Sequence, residues 1–463
     1  MPPFLKLAGK FADPVTSANF PHPVLRWRNP RWADAVGLGN LTDAAWLEHF
    51  ARFTPLPGNL PQPLAMRYHG HQFGTYNPDL GDGRGFLFAQ VRDPAGRLLD
   101  LGTKGSGQTP WSRGGDGRLT LKGGVREILA ATYLEALGVN TSKAFSLVET
   151  GESLQRNDEP SPARGSVLVR LSHSHVRFGT FQRCAFLDDR EAMAELVDYC
   201  IAGFHPGADD PDMARKACAL LEQVALATGR MIGQWMAAGF VHGVMNTDNF
   251  NITGETFDFG PWRFLPRSDP NFTAAYFDQN GLYRFGRQPL QGGWALQQLA
   301  SALVLLADAG DLARALAPYE AAYRDSFTGH THALLGLAPT GDRAADTAFL
   351  QAFYGWMTDS GAGWAQTFFD WFAGAASAQR AAASPQAALY AHPAFEPVRA
   401  ALMARAPVRA ERLALPYFQR AAPVSLVIEE VESLWAPIAE RDDWSAFTAT
   451  TGHIDEARRA LAL

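Results

Sequence analysis

The sequence predicts an α+β fold in which a strand-rich front part, interrupted by one helix, precedes a mostly helical back part. Three observations predict it. Phe86–Val91 and Leu98–Gly102 read as strands around a turn at Asp93-Pro94-Ala95-Gly96. Val125, Ile128, Leu129, Thr132, Tyr133 and Leu137 recur at three- and four-residue spacing and stop at Gly138, the pattern of one buried helix face. From about Arg190 onward helical periodicity dominates.

The elements follow in order. Residues 1–60 are rich in Pro and Trp and show little periodicity, so they are expected to be an extension that wraps a core. Between Met66 and Thr103, Gly and Asp turns separate short apolar runs. After the helix, strand signal resumes at Ala144–Val148 and Ser166–Leu171. Helices are expected over Met213–Ala238, ending at Gly239, over Trp294–Ala307, and over 342–373 and 424–437. This order suits a small α+β part joined to a larger helical part, with a cleft between them.

Composition narrows the class. The chain has 463 residues, 41 Lys+Arg against 47 Asp+Glu, and a formal net charge of −6. That balance argues against a nucleic-acid binder that works through a general positive field. With 47% hydrophobic and 19% charged residues, a sizeable core is expected. The three cysteines, Cys184, Cys200 and Cys218, form no CxxC and are too few for a disulfide scaffold. No apolar run is long enough to span a bilayer, and the first residues do not read as a signal peptide. The expectation is a soluble cytoplasmic enzyme that engages neither nucleic acid nor membrane.

Four segments carry polar and glycine residues where a core would want apolar ones. Leu80-Gly81-Asp82-Gly83-Arg84-Gly85 precedes a predicted strand; it is either a hairpin turn or a backbone cradle for phosphate. Lys104 ends a strand-like run, and Gly105–Pro110 and Arg113–Arg118 follow it with no GxxxxGK[ST] motif. Glu127 lies on the next predicted helix, and a strand Lys paired to a helix Glu is how protein kinases fix a phosphate-binding lysine. Arg170 and Arg177 stand seven apart, so they converge on one ligand only if the chain turns at Ser172–His175. Last, Asp248, Asn249 and Asp258 supply hard oxygens, with Asp258-Phe259-Gly260 placed as in kinases. The ordinary alternatives are solvated loops and Asx turns. His69-x-His71 and His173-x-His175 also admit a zinc reading, but acidic or thiol ligands at recognisable spacing are lacking.

These motifs resemble the selenoprotein O family (YdiU-like proteins), kinase-fold pseudokinases that act as protein AMPylases. The resemblance rests on Tyr68–Gly74, Leu80–Arg84, Lys104–Arg113, Gly115–Arg118, Ser174–Phe181, and Gly239–Asn249 through Asp258–Pro261, all in order. It runs from about Pro21 to Pro289, with little match expected beyond about residue 320. It implies a protein-kinase-like bilobal fold: an N-terminal extension (1–60), a strand-rich N-lobe (61–188) and a larger helical C-lobe (189–463). It also implies that ATP binds reversed, so that AMP rather than phosphate is transferred. By the same resemblance Gly81, Gly83 and Arg84 line the nucleotide loop, and Lys104 contacts phosphate with Glu127 orienting it. Asp116 and Gly117 touch the nucleotide, as does Asp258, and Arg170 and Arg177 hold the outer phosphates. Asn249 and Asp258 bind Mg²⁺ or Mn²⁺, and Asp248 accepts a proton.

The function this implies is AMP transfer from ATP to Ser, Thr or Tyr hydroxyls of protein substrates, with release of pyrophosphate. Three alternatives remain open at the level of sequence: UMP transfer from UTP, a kinase-type phosphotransferase, and a non-catalytic ATP-binding scaffold. Oligomeric state and the identity of the protein substrates are not legible.

Overall fold

The computed structural model describes residues 1–157 and 159–463. Its strands are β1 (Ala12–Pro14), β2 (Val24–Arg28), β3 (Leu64–Met66), β4 (Gly70–Gln72), β5 (Thr75–Asn77), β6 (Leu87–Arg92), β7 (Leu98–Lys104), β8 (Leu119–Thr120), β9 (Lys143–Leu154), β10 (Ala163–Ser172), β11 (Phe240–Val241) and β12 (Arg263–Phe264). The first eight α-helices are α1 (Ala8–Phe11), α2 (Pro30–Ala35), α3 (Asp43–Phe50), α4 (Leu121–Ala136), α5 (Phe178–Phe186), α6 (Arg190–Phe204), α7 (Met213–Ala238) and α8 (Gln288–Leu303). The remaining chain is mainly helical, with its longer helices at Pro318–Leu334, Arg343–Ser360, Ile428–Arg441 and Ser445–Leu461.

The described residues form an eight-stranded antiparallel sheet in the order β1-β3-β6-β7-β10-β9-β2, with β8 paired to β10. Alternation sorts its two faces. Val167, Val169 and Leu171 join one apolar cluster and Leu168 joins the other, as period-two side chains must. One face is covered by α2 and α3, the other by α4 and the helical remainder. No helix is long and apolar enough to cross a membrane among the described residues.

The first sixty residues do more than wrap a core. They supply both edges of the sheet, β1 and β2, and close one of its faces. Trp46 and Phe50 of α3 are fully buried, and Trp46 stacks on Phe145 at 5.1 Å between ring centroids. The Trp46 indole nitrogen has no hydrogen-bond partner among the described residues, so its contribution is packing and the Arg28 guanidinium that lies over its ring at 5.6 Å. Trp46→Ala is therefore expected to cost about 3–5 kcal/mol of stability. Urea unfolding checks this, and a loss under about 1 kcal/mol would show that the extension is peripheral.

Local signals explain the helices that matter for the cleft. Thr120 caps α4, its hydroxyl accepting from Gly123 N at 3.2 Å, and Gly138 follows the helix in left-handed backbone. Asp212 caps α7 and Gly239, at φ 66°, ends it, as the sequence predicts. α8 begins six residues before the predicted Trp294, because Pro289 is already set for a first helical turn. The predicted 342–373 helix is broken after Ser360, where Gly361 takes φ 66°. The C-terminal region packs on the back of α4: Tyr133 Oη donates to Val424 O at 2.6 Å, and Lys122 pairs with Glu432 at 2.7 Å.

Candidate active site

β7 carries Lys104 to its end with every residue buried. α4 sets Glu127 beside Val125, Ile128 and Leu129, and its side chain is buried rather than solvated. The two meet: Lys104 Nζ lies 2.5 Å from Glu127 Oε1 and 2.8 Å from Asp258 Oδ1. Both arginines converge on the same carboxylate. Arg170 Nη1 donates to Asp258 Oδ1 at 3.0 Å, and Arg177 Nη1 lies 3.8 Å from Oδ2.

The convergence requires the turn after β10, and buried acceptors hold that turn. Glu255 accepts from His173 N at 2.7 Å, and Asp100 accepts from His175 N at 2.9 Å. Arg177 is then sandwiched between the rings of Tyr68 (4.1 Å) and Phe257 (4.8 Å), and Arg170 covers Phe257 at 4.4 Å. Aromatic faces let two guanidiniums lie close together away from water.

Asp258 is the electrostatic centre. Its backbone is left-handed, at φ 52°, a conformation that Asp tolerates better than bulkier residues. Burial alone would raise its carboxyl; Arg170, Lys104 and Arg177 together hold it well below the usual carboxylate range. Asp248, in a short 3₁₀ turn (Thr247–Asn249), shows the reverse. Burial pushes it up to about 6 against the opposing field of Arg177, and its Oδ1 is buried without a partner.

The β4–β5 hairpin braces that turn. Thr247 Oγ1 accepts from His71 N at 2.7 Å and donates to Gln182 Oε1 at 2.6 Å, while Asn246 Oδ1 accepts from Phe73 N at 3.1 Å. Asn249 Nδ2 donates to Val244 O at 2.9 Å, which leaves its amide oxygen as the free acceptor.

Lys104, Arg170, Asp248, Asn249 and Asp258 line one cavity of about 480 Å³, together with Gly81, Gly83, Arg84, Asp116 and Gly117. The glycines have a packing reason. A Cβ on Gly81 would lie 2.4 Å from the Trp111 ring, and the turn is tied down by Ser112 Oγ donating to Gly83 O at 2.6 Å. Arg84 and Asp116 stand exposed at the rim, and Asp116 pairs with Arg156 at 2.8 Å. Arg177 lies just behind the wall, also donating to Asp82 Oδ1 at 3.3 Å.

Sequence reasoning missed three participants: Asp82, Tyr68 and Phe257. Asp82 was visible inside the glycine motif, and Phe257 as the aromatic just before Asp258. Tyr68 was visible only as the first residue of the Tyr68–Gly74 motif, which gives it no role of its own. Of the histidines, His69 Nδ1 pairs with Tyr76 Oη and His71 Nδ1 with Gln182 Nε2, both at 2.8 Å.

The oxygen donors on the cavity wall suit a hard divalent cation. Asp258 is firmly ionised, and Asn249 offers a free amide oxygen. No cluster of three or more His, Cys, Asp or Glu residues is arranged for a metal among the described residues. A cation such as Mg²⁺ takes only one or two carboxylates and completes its shell from phosphates and water, so the set present fits.

A family model described as protein adenylyltransferase SelO matches residues 1–455. That corrects the expectation that the likeness fades after about residue 320. The protein nucleotidyltransferase YdiU of Synechocystis sp. is 51% identical over 350 residues, covering 74% of this chain and 72% of that one. The relative of the same name from Gloeobacter violaceus is 42% identical over 471 residues, covering 98% and 94%. The one from Vibrio cholerae is 41% identical over 339 residues, covering 72% and 67%. The chain therefore belongs to the protein adenylyltransferase SelO family.

Proposed function

We propose that the chain transfers AMP from ATP to Ser, Thr or Tyr hydroxyls of protein substrates, releasing pyrophosphate, and that it does so on a protein-kinase-like bilobal frame. The observation that carries this reading is the pairing of two unlike aspartates in one cavity. Asp258 is held ionised by three cations, whereas Asp248 is buried without a partner for Oδ1.

In this reading the acceptor oxygen attacks the α-phosphorus in line. The bond from α-phosphorus to the bridging oxygen breaks, and its electron pair leaves with pyrophosphate. Asp248 takes the hydroxyl proton. Lys104 and Arg170, on the cavity wall, are assigned to the outer phosphates, where negative charge grows; Arg177 adds its field from behind the wall and Arg84 from the rim. Fixed cations in a partly dry cavity stabilise such charge without reorganising. Glu127 orients Lys104, while Asp116 and Gly117 shape the nucleotide side. Asn249 and Asp258 would hold Mg²⁺ or Mn²⁺, which neutralises phosphate charge when bound.

The test compares ATP labelled at the α-phosphate with ATP labelled at the γ-phosphate, incubated with Mg²⁺ or Mn²⁺ and an acceptor protein. Label arriving on protein only from the α position is expected. Label from γ would establish a phosphotransferase instead. No label from either, with ATP bound, would favour a scaffold or a missing partner. UTP in a parallel arm decides between adenylyl and uridylyl transfer.

A further inference from the structure

A second cavity, of about 310 Å³, opens beside the first and shares Arg84, Lys104, Arg118, Arg156 and Gly260 with it; Arg126, Thr120, Gly123 and Glu127 line the second alone. Its wall carries five cations, Arg84, Lys104, Arg118, Arg126 and Arg156, against two carboxylates, Glu127 and Glu159. Three of the cations are already matched: Lys104 by Glu127, Arg118 by Glu152 at 2.8 Å and Arg156 by Asp116 at 2.8 Å.

Arg126 is not matched. It makes no ion pair among the described residues. Its Nη2 donates to Trp262 O at 3.1 Å, and its guanidinium lies over the Trp262 ring at 4.7 Å. Burial, and then the charge of Arg263, push it down to about 10, so it stays charged at neutral pH at an energetic cost. A half-buried guanidinium preset by a ring and one carbonyl, with its other donors unspent, is built to receive an anion. The start of α4 lines the same cavity through Thr120 and Gly123, and a helix N-terminus adds positive potential there.

We propose that this second cavity receives inorganic pyrophosphate, and that Arg126 recognises it. The inference rests on nucleotidyl transfer as the reaction of the first cavity. In that reaction the acceptor-oxygen bond to α-phosphorus forms, the α-phosphorus bond to the bridging oxygen breaks, and the hydroxyl proton goes to Asp248. Pyrophosphate is then the group that must leave. Arg84, Lys104, Arg118 and Arg156 belong to both cavities, so the anion passes from one to the other without crossing an uncharged gap. Glu127 Oε2, buried without a partner, is an acceptor on the second wall, and a pyrophosphate still carrying one proton can donate to it.

Calorimetry on the full chain tests this, with the first cavity saturated by a non-hydrolysable ATP analogue and inorganic pyrophosphate as titrant. The wild type is expected to bind pyrophosphate. Arg126→Gln should weaken that binding at least about tenfold, the effect of losing charge-assisted hydrogen bonds. Arg126→Lys should fall between, and all three should bind the analogue within about twofold. Thermal melts check folding, and Arg118→Gln, which lines both cavities, provides a second variant, expected to weaken pyrophosphate about threefold. Equal pyrophosphate affinity in wild type and Arg126→Gln would overturn the proposal. So would no binding to the saturated wild type, or orthophosphate binding as tightly as pyrophosphate. Because binding needs no turnover, its failure is separable from a failure of α-label transfer.

Discussion

Asp258→Asn is expected to lower α-phosphate transfer by at least about 10³-fold while leaving nucleotide binding in place. Asparagine keeps the shape and one oxygen but loses the charge that three cations and a divalent metal would share. Lys104, Arg170 and Arg177 remain and no longer face the Asp258 carboxylate, although Glu127 still pairs with Lys104 and Asp82 with Arg177. Metal-free ATP should therefore bind the variant as tightly as the wild type or more tightly, and calorimetry without Mg²⁺ reads this directly.

The same substitution should destabilise the chain. Because the folded-state carboxyl is held below its ordinary value, its contribution is fully present above the unfolded value of 3.8 and is lost as pH falls through the lower folded value. Removing one partner from such a cluster costs about 3 kcal/mol, the low end for buried pairs, because 24% of the side chain is open to the cavity. The loss should be seen in urea melts at neutral pH and shrink toward strong acid. Transfer within tenfold of wild type would remove Asp258 from the centre of the mechanism.

What made this centre legible in sequence was local. Lys104 ends an apolar strand, and Glu127 sits on a helix whose face is marked by Val125, Ile128 and Leu129, so both could be placed before any contact was known. Asp248, Asn249 and Asp258 stand out because charged and amide side chains crowd a stretch bounded by buried Phe240 and Phe264. The illegible parts depend on contacts distant in sequence. Tyr68 gains its role only by lying over Arg177, which the turn after β10 brings to it. Gly81 reads as a phosphate-cradling glycine, yet the volume it lacks is occupied by Trp111. β1 and β2 are three and five residues long, too short for alternation to register, and they are fixed by pairing with β3 and β9. The turn at Ser172–His175 was permitted by composition, but Glu255 and Asp100, which hold it, come from other elements.

Asp248→Asn is expected to move activity and stability in opposite directions. A proton acceptor must be ionised, so wild-type kcat/KM, which reports the free enzyme, should rise with pH through an inflection near 6, where burial has pushed the Asp248 carboxyl. The variant cannot take a proton there. Its transfer rate should fall by about 10²–10⁴-fold, and the limb near pH 6 should vanish from its profile. Stability runs the other way. Because the folded value lies above the unfolded 3.8, the native state binds the extra proton between the two. The cost of keeping this carboxylate ionised therefore builds from about pH 4 to 6 and is complete above it. A shift of about two units corresponds to roughly 3 kcal/mol, an upper bound on the gain when asparagine removes the charge. Above pH 7 the variant should melt higher than wild type, and near pH 4 the two should coincide. Two neighbouring aspartates thus give opposite signs on neutralisation, Asp258 costing stability and Asp248 returning it, as expected when one is held by its neighbours and the other is strained by the site it serves. If Asp248→Asn melts lower than wild type above pH 7 and retains the pH 6 limb, Asp248 is a structural carboxylate and the proton goes elsewhere.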